Sequence, residues 1–467
     1  MTKRLSRIAL LLLVAAAAAC SPRERALVIL STNDMHARID RFPQLATAVE
    51  RCRDTADVIL VDAGDRWTGN AYVDLAEDRK PILDLMNRLG YDLGTLGNHE
   101  FDVGQETLER AVGHCDFPII CANIRSGEGA QLKPFEPSRI ISRGGVKVGF
   151  VAVVTNYGPH DHPDGHDAVF EGLAFPDAEE TAAGAVALGE QCDVLVALTH
   201  IGSGKDRELA AMAPEYDLIL GGHSHEVINE TVNGVLLTQT GKGLRNVGVT
   251  VLRRRDGRCE PEFRVVPLEN YDPDPLYQEM VDSYYANPEL KRPVGELTAP
   301  ANKVGLANLF AASVRRAANA DIGLYHQGGV RLDTLAGRVP IASVYDLDPF
   351  GSYVSVVTMT PAQLRQLIMT KFNDKVNPGE AHCIDLYATT PYTVVTDERF
   401  DAVDVEFPEL EEGRSYRVAM GDYVLEAYRD LDGTDAETLE TLVTDCLLES
   451  LAPGPYTPDN TRHQTIR

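Results

Sequence analysis

Five short segments carry the kinds of side chain that hold metal ions and move protons. They are Asp34-Met35-His36, Gly64-Asp65, Gly97-Asn98-His99-Glu100-Phe101-Asp102, Thr199-His200 and Gly222-His223-Ser224-His225. Each lies just past a short apolar run, at 27–30, 58–61, 93–96, 194–198 and 218–220. Runs of this length, rich in Val, Ile and Leu, read as buried strands. Layered α/β folds bind ligands outside the carboxyl ends of their strands, so five such loops are expected to meet at one patch. Asp34 and His36 are two apart, as are His223 and His225. At a strand end that spacing turns both side chains the same way. Carboxylate, imidazole and amide donors suit Zn²⁺, Mn²⁺ or Fe²⁺ rather than Cu(I) or an iron–sulfur cluster.

The elements that must position these loops follow from the same pattern. Further strand-like runs lie at 118–122, 146–154 and 235–237, with helical stretches at 42–51, 79–89 and 105–112. Strands alternating with helices predict an α/β layered domain over 26–266. The turn cluster Asp272-Pro273-Asp274-Pro275 and a helix at 276–286 mark a linker over 267–294. A second domain at 295–467 mixes helices (306–318, 361–371) with strands (353–359, 416–420) and reads as α+β. A chain of 467 residues has the length for two such cores. The acidic stretch 397–412 is expected to be a solvated face.

The formal net charge is −26. Such a chain repels nucleic-acid polymers and anionic membrane at long range. A phosphate ester would need local cations, and bound metals are the strongest available. Lys3, Arg4 and Arg7, an apolar run at 8–19 and small residues before Cys20 read as an export signal over 1–20. The run is too short to span a bilayer comfortably. Cys20 resembles the lipidated cysteine of a bacterial lipoprotein box, although Ala17 stands where leucine is usual; simple cleavage near Ala19 is the alternative. The expected location is the periplasm or cell surface, with membrane contact only through that anchor. Seven cysteines remain after Cys20, an odd number with no C-x-x-C spacing.

The five segments together resemble the signature of the calcineurin-like metallophosphoesterases. The longer strings resemble the bacterial periplasmic 5′-nucleotidase and UDP-sugar hydrolase family, over nearly the whole mature chain. That resemblance implies an N-terminal four-layer β-sandwich flanked by helices and a C-terminal substrate domain. It implies two divalent ions (Zn, Mn or Fe), with Asp34, His36 and His225 on one, Asn98, His200 and His223 on the other, and Asp65 bridging. A hydroxide activated by both would attack phosphorus in line. His99 would approach the phosphate and leaving oxygen, oriented by Asp102; Asp102 as cap of the following helix is the plainer reading. Glu100 is left structural. Ala37 departs from the family's glycine at that position.

In the second domain, Gly328-Gly329-Val330-Arg331 resembles the family segment whose arginine contacts substrate. Asp348-Pro349-Phe350-Gly351-Ser352 and Asp422-Tyr423 resemble the segments whose rings grip a base, so Phe350 and Tyr423 would form a stacking clamp. Ser352 replaces the usual asparagine, and the Gly-Gly-Asp-Gly string expected after Tyr423 is absent. The expected substrate is a small nucleotide, most simply a nucleoside 5′-monophosphate, acted on by a monomeric enzyme. The departures leave open a non-nucleotide phosphate ester, a thiosulfohydrolase-like reaction, or a surface lipoprotein that binds nucleotides without turnover. His160, Asp161, His162 and His166 read as a solvent loop, with an adventitious metal site as the alternative.

Overall fold

The computed structural model describes residues 25–255, 258–373, 382–428, 431 and 435–467. The export segment and Cys20 lie outside the described residues. Two six-stranded sheets build the N-terminal half. The first runs Arg258–Pro267, Asn246–Arg255, Leu27–Thr32, Asp57–Asp62, Leu93–Thr95, Ile119–Ile120. The second runs Val227–Val232, Val235–Thr240, Leu218–Leu220, Val194–His200, Val146–Val154, Ser138–Arg143.

Alternate residues of each strand face opposite layers. Leu27, Ile29, Ile59 and Val61 meet Phe150, Val196 and Leu198 between the sheets. Val28, Leu30, Val58 and Leu60 face outward onto Phe42, Leu45 and Met86 of the helices Phe42–Arg53 and Lys80–Leu89. On the far side, Val151, Val153, Leu195 and Ile219 pack on Ala182 and Leu209. The result is a helix–sheet–sheet–helix sandwich. Each fully buried large apolar side chain contributes roughly 1.5–3 kcal/mol. This burial on both faces is why the strands read as unbroken apolar runs.

The central strands are parallel and end together. Thr32 pairs with Asp62 and Asp62 with Gly94 in the first sheet. In the second, Val154 pairs with His200 and Leu198 with Leu220. The five polar loops therefore leave both sheets at one edge.

In the 267–294 segment, Asp274 caps the helix Pro275–Tyr284 by accepting from Leu276 N (2.9 Å) and Tyr277 N (3.2 Å). Tyr277 and Val281 of that helix bury into the same core as Phe42. The C-terminal half centres on a mixed five-stranded sheet, ordered Leu386–Ala388, Ile322–His326, Tyr416–Gly421, Tyr353–Met359, Ala436–Leu442. Helices Lys303–Ala317 and Val443–Leu451 cover one face, and Pro361–Asn373 the other. The acidic stretch is a solvated face carried on a strand: Ala402 and Val405 of Ala402–Glu406 are buried, while Asp404 and Glu406 are exposed.

The halves touch around the strand ends. Ala71 N donates to Asp346 Oδ1 (2.7 Å), and His166 Nδ1 donates to Glu426 Oε2 (3.1 Å). Among the described residues no helix is long and apolar enough to cross a membrane, and Cys52, Cys115, Cys121, Cys192, Cys259 and Cys446 form no disulfide.

Candidate metal centre

Two loops are laced together first. Asp34 N donates to Gly64 O (3.0 Å), His36 N to Asp65 O (3.0 Å) and Ala37 N to Arg66 O (2.8 Å). Asp34, His36, Asp65, His223 and His225 all have left-handed backbone, with φ of 48°, 48°, 54°, 81° and 60°. Non-glycine residues seldom adopt this region, Asp, Asn and His most readily, and such outliers gather at functional sites. This corrects the strand-pleat expectation for the two-residue spacings. The strands end at Thr32 and Leu220. Tight left-handed turns, and not pleat, bring each pair to the same side. His200 differs again, as the last residue of its own strand.

Asp34, His36, Asp65 and His225 form a cluster whose ligand atoms lie within 4.8 Å of one another. His36 Nε2 faces His225 Nε2 at 2.8 Å. Asp65 Oδ2 is 3.2 Å from His200 Nε2, 3.9 Å from His99 Nε2 and 4.0 Å from His36 Nε2. Asp34 Oδ1 is 3.6 Å from His225 Nε2 and 3.9 Å from His200 Nε2. His223 Nδ1 lies 3.0 Å from Asn98 Oδ1. The structure thus brings all seven ligand candidates to one buried spot, from five loops.

The donor set fits divalent cations. His200 Nδ1 donates to Ala63 O (2.7 Å), so Nε2 faces the cluster. That buried Nε2 lies 3.2 Å from Asp65 Oδ2. Two imidazole nitrogens 2.8 Å apart repel unless a cation or proton sits between them. Burial lowers His36, with Arg331 pushing the same way, and burial with Lys242 lowers His225. Burial and His200 bring His223 down to about 4. These three rings are therefore neutral, the state that ligation requires. Burial pushes Asp34 up, and Asp65 adds to that; His200, between the two carboxylates, is held up despite burial. Gly222 completes the cradle. A Cβ there would stand 2.7 Å from His200 Nδ1 and 3.2 Å from Asp34 Oδ2.

His99 presents its Nε2 toward Asp65, while its Nδ1 donates to Asp102 Oδ2 (2.8 Å). Burial works against the charged imidazole, but Asp102 and Asp65 more than offset it, so His99 is raised. Asp102 does not cap the next helix. That helix, Gln105–Gly113, begins after Gly104 with no side-chain cap.

Glu100 carries more than a filler role. Its Oε2 accepts from Asp65 N (2.9 Å), and its Oε1 from Arg66 N (2.9 Å). The buried Arg66 guanidinium lies 3.0 Å from Asp62 and 3.9 Å from Glu100. This network fixes the Asp65 turn from beneath. The sequence left Glu100 structural, and this network is the structure it holds. Asp206 is an omission. It is fully buried, accepts from Thr199 Oγ1 (2.6 Å) and is pushed up to about 7 by burial. It lies inside the helix Gly202–Met212, where its position gave no sign of this role.

The second-half candidates border the same place. A cavity of about 270 Å³ is lined by Asp65, Asn98, His99, Arg331, Phe350 and Tyr423, among others. Phe350 stacks on His99 with centroids 5.7 Å apart, and the Arg331 guanidinium lies 5.5 Å from its ring. Arg331 Nη2 is 3.3 Å from His36 Nδ1. Tyr423 faces His326 at 5.0 Å. The two rings share the cavity, each paired with a histidine. In the 160–166 segment His160 and Asp161 are exposed, as a solvent loop requires, whereas His162 is buried and stacks on Phe170 (4.2 Å) and His166 reaches Glu426, which corrects the reading for those two.

Comparison with known proteins places both halves of the chain in known domain families. Residues 27–227 match the family model for calcineurin-like phosphoesterases, and 288–431 match that for the 5′-nucleotidase C-terminal domain. The 5′-nucleotidase of Vibrio cholerae is 26% identical over 76% of this chain and 77% of its own. The endonuclease YhcR of Bacillus subtilis is 26% identical over 87% of this chain, which spans 38% of that relative's length. The crystal structure of a 5′-nucleotidase precursor from Thermus thermophilus superposes with a TM-score of 0.80 over 94% of this chain and 99% of its own, at 21% identity. That likeness is one of fold.

Proposed function

Because this chain belongs to the hydrolase family that joins a calcineurin-like phosphoesterase domain to a 5′-nucleotidase C-terminal domain, we propose that it hydrolyses nucleotides, nucleoside 5′-monophosphates first among them, at a centre of two divalent ions. Asp34, His36 and His225 would hold one ion, Asn98, His200 and His223 the other, and Asp65 would serve both. One observation carries this reading: these seven side chains, from five strand-end loops, converge on a buried spot that also opens on Arg331, Phe350 and Tyr423. When bound, such ions supply a water that loses its proton near neutral pH and positive charge for phosphate oxygens.

The chain's own groups would do the rest. Asp102 holds the His99 Nδ1 proton, so Nε2 points into the cavity, placed to stabilise or protonate the leaving oxygen. Arg331 has no carboxylate within 4.0 Å among the described residues, and its charge is free to meet a phosphate. Phe350 and Tyr423 offer ring faces for a base. The basic start and short apolar run over 1–20 support an exported protein, which Cys20 would anchor.

Tyr423 is the cleaner probe of base binding, since Phe350 also touches His99. Tyr423→Ala is expected to raise KM for adenosine monophosphate about tenfold, from lost stacking of roughly 1–3 kcal/mol. KM for p-nitrophenyl phosphate should shift far less. Equal shifts in both would remove the base from the account and leave a general phosphate esterase.

A further inference from the structure

A second cavity, of about 680 Å³, adjoins the centre on another side and is bordered by His36, His225 and Arg331. Its wall holds six cations (Arg38, Arg41, Lys242, Arg245, Lys303, Arg331) against two carboxylates, Asp40 and Asp333. In a chain of net charge −26 this is a local reversal of sign. A concave wall of one sign focuses field on whatever enters it.

The cations are poorly neutralised. Among the described residues, Lys303 has Asp333 at 3.7 Å, while Arg38, Lys242, Arg245 and Arg331 have no carboxylate within 4.0 Å. Asp40 is engaged elsewhere, accepting from Tyr285 Oη at 3.0 Å. Burial lowers Lys303 from the ordinary lysine range, and Arg331 and Lys242 push the same way. Unpaired like charges held together call for a counter-anion.

They are also held in register with the metal centre. Gly243 N donates to Asp34 O (2.7 Å), and Asn33 Nδ2 donates to Gly241 O (2.8 Å). Asn33 Oδ1 accepts from Thr240 N (2.9 Å). The turn that carries Lys242 and Arg245 is thus tied to the backbone on either side of Asp34. Arg38 follows His36 by two residues on the same laced loop. A swarm of surface lysines would not show this anchoring.

We propose that this cavity is a second anion site, which takes the further phosphate group of a substrate whose scissile phosphate lies at the metal centre. The proposal rests on the phosphoesterase reading above and extends it from monophosphates to bisphosphates. Fructose 1,6-bisphosphate and fructose 6-phosphate are suitable probes, since they differ by one phosphate.

Two readouts on the full chain test it. In competition with p-nitrophenyl phosphate, the bisphosphate is expected to bind about tenfold more tightly than the monophosphate at low salt, an advantage that shrinks as salt screens the charges. In the variant carrying Lys242→Ala and Arg245→Ala, that ratio should fall to about one. Independently of turnover, the bisphosphate should protect Lys242 and Lys303 from acetylation by acetic anhydride, read by peptide mass spectrometry, and the monophosphate should not. Protection without any phosphatase activity would keep the anion site and sink the phosphoesterase reading. Activity without preferential protection, or a ratio unchanged in the double variant, would overturn the second site, as would absence of both activity and protection.

Discussion

Asp65→Asn is expected to cut kcat/KM for p-nitrophenyl phosphate by at least ~10³, equivalent to about 4 kcal/mol of transition-state stabilisation. Asp65 is the carboxylate that both ions would share. Its Oδ2 faces His200, His99 and His36 at once, and its Oδ1 accepts from His99 N (3.0 Å). Asparagine keeps an oxygen for that amide, so the turn should hold. What it loses is the negative charge that offsets repulsion between two dications. Metal content measured by plasma mass spectrometry should fall from two equivalents to one or fewer, with circular dichroism unchanged. A variant with two equivalents and wild-type turnover would remove Asp65 from the centre.

The second large effect concerns His99. His99→Ala is expected to lower kcat about 10²–10³-fold while leaving metal content intact, since His99 is no ligand in this account. The pH profile separates its charge from its shape. Asp102 and Asp65 raise the imidazole above the ordinary histidine value. If the protonated ring is the active form, kcat declines as pH rises through the raised pKa at which His99 loses its proton. Asp102→Asn removes the largest of the raising influences. The alkaline limb should then move to lower pH, with KM nearly constant. An alkaline limb that stays in place in Asp102→Asn would mean that another group sets it.

Much of this was legible in the chain. The strands 146–154 and 218–220 have the bounds expected of them, because all but the first two residues of the one and the whole of the other are buried on both faces and leave apolar runs. The hairpin Asn246–Arg255 and Arg258–Pro267 escaped: Arg258–Pro267 is the edge strand and mixes arginine and glutamate into its run, and Asn246–Arg255 beside it ends in three arginines. Ile322–His326, an inner strand of the C-terminal five-stranded sheet, escaped for another reason. It is five residues long and contains Gly323, where a Cβ would stand 1.9 Å from Ala311 O of the covering helix. A glycine there reads as a break, yet close packing demands it.

The site followed the same division. Residue types and loop positions were visible, because metal chemistry restricts the choice of ligand. The left-handed turns that aim Asp34, His36, His223 and His225 were not, since extended and left-handed backbone predict the same two-residue spacing. Glu100 beneath Asp65, and the wall of Arg38, Lys242, Arg245 and Lys303, join residues far apart in the chain. Only the fold brings them together.

The most direct test is phosphate release from adenosine monophosphate by the purified chain, with Mn²⁺ added in one sample and EDTA in the other. The account predicts release with Mn²⁺, abolished by EDTA and restored when metal is returned. Release that persists undiminished in EDTA, or no release at any Mn²⁺ concentration, would contradict it.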